Sequence, residues 1–351
     1  MPPPGLFLAA AMGHRENAVG ANGANAVILD GVSKSFDGVR AVQGLSAQVP
    51  RGTIYGFLGP NGAGKTTSIR MIMDILRPDS GRIEVLGAAS ARQAKDRVGY
   101  MPEERGLYPR MKVRNVLAFL AALKGVPKTE IPGRLETWLK AMDLSGWGQK
   151  EVRELSRGMQ RRLEFIAAVI SDPELIVLDE PFAGLDPVNL DLVKDTILRL
   201  RAAGKTIILS THIMEQAETL CDRILLINRG EKVLDGSLDE VRAPYESDAV
   251  VAELEGESGF IESLPMVRSV AQAPSPVHEA DPAQPAFGSE AQARRGAAVP
   301  QRRKITIELN GKGRDQELLA ALVGKVRVRA FEIKRPTLHE IFVRVVGERH
   351  E

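Results

Sequence analysis

From Asn25 onward the chain alternates between short apolar runs and longer stretches in which apolar residues recur at helical spacing. "AVILDGVSKSF", "GTIYGFLG" and "RIEVLG" are rich in Val, Ile and aromatic residues and are bounded by glycine, as strands are. In "VRNVLAFLAALKG", Val113, Val116, Leu117, Leu120 and Leu123 fall at helical spacing and Gly125 supplies a stop. "GRLETWLKAMDL" continues the helical character. "ELIVLDEP", "KTIILSTH" and "RILLINRG" are near-continuous apolar runs separated by helical patterns, which predicts buried parallel strands of an α/β sheet.

After about Pro244 the pattern changes. The strand-like "DAVVAELEG" leads into "FIESLPMVRSVAQA", and residues 273–303 are then dense in Pro, Ala, Gln and charge without periodicity. Such a segment buries too little apolar surface to offset its ordering entropy, so it reads as a mobile insertion. Order resumes with "KITIELNG", the helical "DQELLAALVGK", the strand-like "VRVRAFEIK" and a last helix from "PTLHEIFVRVVGE". The expected organisation is a disordered tail over residues 1–25, a main α/β domain over 26–245 and a small α+β domain over 246–351. The main domain carries a helical subdomain at about 105–170, and the small one runs βαβ–insertion–βαβα.

A length of 351 residues accommodates these two domains, and 44% hydrophobic with 26% charged residues is the composition of a soluble globular protein. The net charge of +2 gives no whole-chain bias toward nucleic acid or membrane surfaces. The single cysteine, Cys221, excludes an intrachain disulfide, fits a reducing compartment and reads as a small buried residue in a helix. No apolar run approaches the roughly 18 residues of a membrane-spanning helix. The N-terminal "GLFLAAAMG" has no basic residue before it, which argues against a signal peptide, and Met12 offers a second start. Any membrane role therefore has to come through a partner.

The chemistry concentrates in "GPNGAGKTT", residues 59–67, which matches G-x-x-x-x-G-K-[ST] between a strand run and a helical one. Gly59, Gly62 and Gly64 let the loop, with Pro60 at its bend, turn backbone N–H groups such as those of Asn61, Ala63 and Thr67 around a polyphosphate. Lys65 reaches the β/γ-phosphates and Thr66 offers its hydroxyl to Mg²⁺. Downstream, "LIVLDEP" ends a buried run in two acids, a costly place for charge without a metal or cation nearby. Asp179 is placed to hold Mg²⁺ and Glu180 to act as the base on the attacking water.

In this order the motifs resemble the ATP-binding subunits of ABC transporters from Ala26 to about Pro244. "LSRGMQRRLEFIAA" is similar to the signature helix, "AGLD" to the D-loop, and "STHIMEQAE" carries the position of the switch histidine, His212. Phe36 occupies the place of the aromatic that stacks on adenine. The resemblance implies a P-loop NTPase core with a mixed, largely parallel sheet. It also implies that Ser156 and Gly158 face the γ-phosphate held by an opposite subunit in an ATP sandwich dimer. Asp186 would bridge to the partner's phosphate loop, and His212 would contact the γ-phosphate. Arg157 and Met159 depart from the signature pattern, which has glycine and glutamine there.

The C-terminal extension and "EERGLYPRM" look most like export-type proteins that work with a separate integral-membrane permease. The implied location is the cytoplasmic, inner face of the cell membrane, and the implied second nucleotide-binding subunit is another copy of the chain. A soluble ABC-type ATPase acting on nucleic acid or ribosomes is the alternative; its only support is the basic "ARRGAAVPQRRK", which a solvated linker explains better. The expectation is therefore no nucleic-acid partner. One position stands out: aligned on Gly99, Tyr100, Pro102 and Leu107 of "GYMPEERGLYPRM", the family's Q-loop glutamine falls on Glu103. A carboxylate keeps the oxygen ligands for Mg²⁺ and loses the amide donor.

Overall fold

The computed structural model describes residues 24–104, 106–245, 248–272, 302–311 and 313–348. The expected tail, almost all of the insertion and most of the basic linker lie outside these residues. The described residues of Met1–Val241 and Leu338–Glu351 form one compact unit, and those of Arg242–Thr337 another.

The first unit is built on a six-stranded sheet of order β5-β6-β7-β3-β8-β9. Its strands are β3 (Ile54–Leu58), β5 (Val98–Met101), β6 (Leu175–Asp179), β7 (Thr206–Thr211), β8 (Arg223–Asn228) and β9 (Glu231–Ser237). All pairs are parallel except β8–β9. Every residue of β3, β6 and β7 is buried, which is why apolar residues run together through their centres, with polar residues such as Asp179, Ser210 and Thr211 only at the ends. Beside it lies an antiparallel sheet of order β2-β1-β4, from β1 (Asn25–Phe36), β2 (Val39–Pro50) and β4 (Ser80–Val85).

The helices are α1 (Lys65–Ile72), α2 (Val113–Leu123), α3 (Ile131–Ala141), α4 (Arg157–Val169), α5 (Pro187–Ala202), α6 (Met214–Leu220) and the short α7 (Leu238–Arg242). One core cluster joins both sheets through α1. It includes Val27, Leu45 and Val49 from the antiparallel sheet, Phe57, Val177, Ile208 and Leu225 from the parallel one, and Ile69 and Ile72 from the helix.

Strand β2 did not emerge from the hydrophobic pattern. Its local signal is the Asp37-Gly38 pair, which makes a two-residue hairpin with φ of 45° and 82° between the paired Phe36 and Val39. Alternation along β2 is broken by polar residues and by four register shifts in its pairing with β1, so periodicity alone does not reveal it. Cys221 lies just past the end of α6 and not inside a helix; burial pushes its thiol well up, so it is chemically quiet.

The second unit is an antiparallel sheet of order β11-β12-β10-β13, from β10 (Ala249–Glu255), β11 (Val267–Gln272), β12 (Arg302–Leu309) and β13 (Arg327–Ile333). Helix α8 (Asp315–Val323) covers it, with Val250, Ala252, Leu254, Ile305, Ile307, Leu318 and Leu322 in the core. The element order follows the sequence expectation, with a 3-10 turn (Gly259–Ser263) in place of the first helix. The expectation that everything after residue 246 forms one domain needs correction at its end. Helix α9 (Leu338–Glu348) belongs to the first unit, where it packs on α6. Leu338 and Ile341 are buried and the Leu338 N–H donates to the Glu218 carboxylate. Sequence proximity suggested the other assignment because the apolar face of α9 does not say which surface it covers.

Candidate active site

The loop between β3 and α1 is fixed by its glycines. Gly59 has φ 150°, and a Cβ there would lie 2.1 Å from the Ile227 carbonyl oxygen. Gly64, the residue before α1, has φ 107°, and its Cβ would lie 2.5 Å from the Ala41 carbonyl oxygen. The backbone of β2 therefore passes directly behind the loop, a functional reason for the strand that the pattern concealed. Pro60, Asn61 and Gly62 are exposed while Ala63, Gly64 and Lys65 are buried, so the loop presents its tip and anchors its base. Thr66 and Thr67 lie half-buried in the first turn of α1, whose unpaired N–H groups and dipole favour an anion.

Lys65 donates to the carbonyls of Gly59 (2.8 Å) and Pro60 (3.1 Å). Its ammonium is 3.8 Å from the Glu180 carboxylate. Burial lowers the Lys65 pKa from the usual lysine value, opposed by the nearby charges of Glu180, Asp179 and Glu103. Three acids surround one cation here, so the site carries negative charge that a bound metal would offset.

Asp179, the last residue of β6, is fully buried. One of its carboxylate oxygens receives the Ser210 hydroxyl, and the other, Oδ2, has no hydrogen-bond partner. Burial raises its pKa above the ordinary carboxylate range, the Ser210 bond works against that, and Glu103 adds to it. The Thr66 hydroxyl lies 3.4 Å from Asp179 Oδ1 and 3.3 Å from Glu103 Oε2. This hydroxyl and two carboxylates are a hard-oxygen set of the kind Mg²⁺ takes, and the orphaned Oδ2 is a buried acceptor in want of a cation. Among the described residues, no group of three or more His, Cys, Asp or Glu side chains could hold a metal ion by itself. A cation at Thr66 would thus rely on additional oxygens, as Mg²⁺ at phosphates commonly does.

Glu180 follows with φ 47°, a left-handed conformation that side chains rarely adopt. Its N–H donates to Ser210 Oγ (2.9 Å), and its Oε1 is 3.0 Å from Nδ1 of the half-exposed His212. Glu180 thus stands between an imidazole and the ammonium of Lys65, as a base needs if it is to be oriented on both sides.

The remaining positions lie apart from this cluster. Ser156 caps α4, its hydroxyl accepting from Met159 N at 3.3 Å. Gly158 is half-buried, and a Cβ there would meet only ordinary contacts, 3.7 Å from Gly184 O and Leu185 Cδ2. Asp186 caps α5 through Asn189 N at 3.0 Å, which holds its pKa below the carboxylate norm. Phe36 ends β1 with its ring 43% exposed, and the Lys34 ammonium lies 5.5 Å from the ring centroid. The sequence reading missed Ser210 and Arg161. Arg161 bonds backbone carbonyls, Ser210 bonds the Asp179 carboxylate and the Glu180 N–H, all brought near by folding, and neither residue belongs to a local pattern.

A strand–loop–helix phosphate cradle facing two acids at the end of a parallel strand next but one in the sheet defines a P-loop nucleotide-hydrolysing protein. Residues 42–183 match the ABC transporter family and residues 281–346 match the C-terminal domain of DrrA1-3-like ATP-binding proteins. A Bacillus subtilis protein described as the uncharacterized ABC transporter ATP-binding protein YhaQ is 36% identical over 92% of this chain and 99% of its own length. The Nod factor export ATP-binding protein I of a Rhizobium species is 42% identical over 60% of this chain and 71% of its own. A solved ATP-binding subunit of an ABC transporter superposes with a TM-score of 0.59 at 27% identity, covering 63% of this chain and 93% of that one. The chain belongs to the ATP-binding subunits of ABC transporters, which bind ATP and hydrolyse it to power transport. Among its described residues no helix is long and apolar enough to cross a membrane.

Proposed function

We propose that the chain is the motor of an exporter, acting as a homodimer on the cytoplasmic face of a membrane through a separate integral-membrane permease. The observation that carries the exporter reading is the pair of similarities named for export-type proteins: the DrrA-like C-terminal match and the Nod factor export relative. A shallow depression lined by Tyr100, Pro102, Leu107, Leu120 and Leu123 supports the permease. Beside it the exposed rings of Tyr108 and Phe119 meet edge-on at 6.1 Å, an apolar surface on a helical subdomain.

Gly158 supports the dimer. The missing side chain leaves the start of α4 open, a Cβ there meeting only ordinary contacts, so a nucleotide on a second copy has room for close approach. Ser156 and Gly158 open α4 toward that phosphate, Asp186 lies at the start of α5 for the bridge to the partner's loop, and Phe36 offers an aromatic face to the adenine. Within one copy, Gly59, Pro60, Asn61, Gly62, Ala63, Gly64, Lys65, Thr66 and Thr67 wrap the phosphates. Glu180 takes the proton of the attacking water, and His212 holds the Glu180 carboxylate and contacts the γ-phosphate. Thr66, Asp179 and Glu103 hold Mg²⁺, which when bound neutralises charge on the phosphate oxygens.

Affinity-tagged protein recovered from detergent-solubilised membranes is expected to bring down a multi-spanning membrane protein. Recovery of ribosomes or nucleic acid, with no membrane protein, would overturn the exporter reading. Glu103→Gln is expected to keep ATP affinity and to raise the Mg²⁺ concentration for half-maximal hydrolysis by about threefold or more, since one anionic ligand becomes neutral. An unchanged magnesium titration would remove Glu103 from the metal site.

A further inference from the structure

We infer that Arg161, in the second turn of α4, is a positioning residue that brackets the two acidic segments of the active site. Its guanidinium is almost fully buried and reaches four backbone carbonyls. Nη2 donates to Asp179 O (2.6 Å) and Glu180 O (2.7 Å). Nη1 donates to Pro102 O (2.9 Å), more weakly to Glu103 O (3.4 Å), and to the equally buried Glu164 carboxylate at 2.9 Å. A planar fork with fixed donor directions suits this task, where a single ammonium would not span both segments.

The two segments leave one end of the sheet side by side. β5 and β6 are parallel and in register, Met101 opposite Leu178, so residues 102–103 and 179–180 emerge together. Helix α4 lies close enough to hold them because Gly99 of β5 has no side chain; a Cβ there would lie 2.0 Å from the Ala168 carbonyl oxygen. Glu103 then extends to Thr66, and Glu180 to His212 and Lys65.

A second observation points the same way. The left-handed backbone at Glu180 is intrinsically unfavourable for a residue with a side chain. Both of its peptide groups are tied: its N–H to Ser210 Oγ and its carbonyl to Arg161 Nη2. Arg161 therefore holds the conformation that aims the Glu180 carboxylate, and links that aim to the start of α4, where Ser156 and Gly158 lie. A shift of α4 would move the Glu103 loop and the Glu180 turn together.

The inference rests on the roles given above to Glu103 and Glu180. Failure of those roles shows as full turnover in Glu180→Gln; failure of the bracket shows in the Arg161 variants alone. Arg161→Gln is expected to lower turnover at saturating ATP about tenfold or more, the penalty of a small misplacement of reacting groups, with ATP affinity within about twofold of the parent. Arg161→Lys, which keeps the charge and loses the fork, is expected to fall between, at about threefold or more. Should Arg161→Gln fail to fold, Arg161→Lys carries the test alone. Unchanged turnover in the folded variants overturns the inference. So does a parallel loss of turnover, ATP affinity and thermal stability in Arg161→Lys, which would mark Arg161 as a fold-stabilising residue only.

Discussion

Glu180→Gln is expected to lower ATP turnover by about 10²–10⁴-fold while leaving nucleotide affinity unchanged or tighter. Glutamine has nearly the same shape, so the contacts with His212 at 3.0 Å and the neighbourhood of Lys65 at 3.8 Å persist. What disappears is the capacity to accept a proton. The substitution also removes one negative charge from a site that binds a polyphosphate, and that change favours binding. Phosphate release and nucleotide titration, measured on the same preparation, separate the two effects. Turnover at the parent rate would mean that Glu180 is not the base.

Lys65→Ala should act on the other axis. In the proposed role the buried ammonium reaches the phosphates, and a hydrogen bond to a charged group is worth about 1.5–3 kcal/mol, so ATP affinity is expected to fall about 10- to 100-fold. Two further losses accompany it. The carbonyls of Gly59 and Pro60 lose their donor, and the mostly buried Glu180 carboxylate loses its nearest ammonium. Calorimetric titration with ATP reads the affinity directly. A dissociation constant within about threefold of the parent would show that the backbone N–H groups of the loop do the binding unaided. Lys65→Arg, which restores charge on a bulkier group, tells charge from fit.

These two residues were legible in the sequence because their roles are tied to local patterns. The phosphate loop is a contiguous motif, and Asp179-Glu180 ends an apolar run whose burial makes paired acids costly. The strands β6, β7 and β8 were legible because burial on both faces leaves an apolar run of three or four residues at the centre of each, with polar residues only at the ends. What remained hidden depends on pairing at a distance. β2 is defined by a partner strand and a two-residue turn, Ser210 by the acid it bonds on the adjacent strand, and Arg161 by carbonyls up to 59 positions away. In the sequence Glu103 is an acid where the family pattern has glutamine. Its oxygen 3.3 Å from Thr66 makes it part of the same oxygen cluster as Asp179.

The return of α9 to the first unit changes what the small unit is. Residues 242–337 are not an appendage on the end of a finished ATPase but a loop-out held at both ends by the same body. Cutting the chain after residue 241 would remove more than an accessory module, because α9 would go with it and bare the face of α6 that Leu338 and Ile341 cover. Since α6 begins two residues after His212, such a cut would disturb His212 for reasons unrelated to the small unit's own role. The excision that keeps α9 joins residue 241 to 338 through a flexible linker. Only then does any change in transport or turnover belong to the excised module.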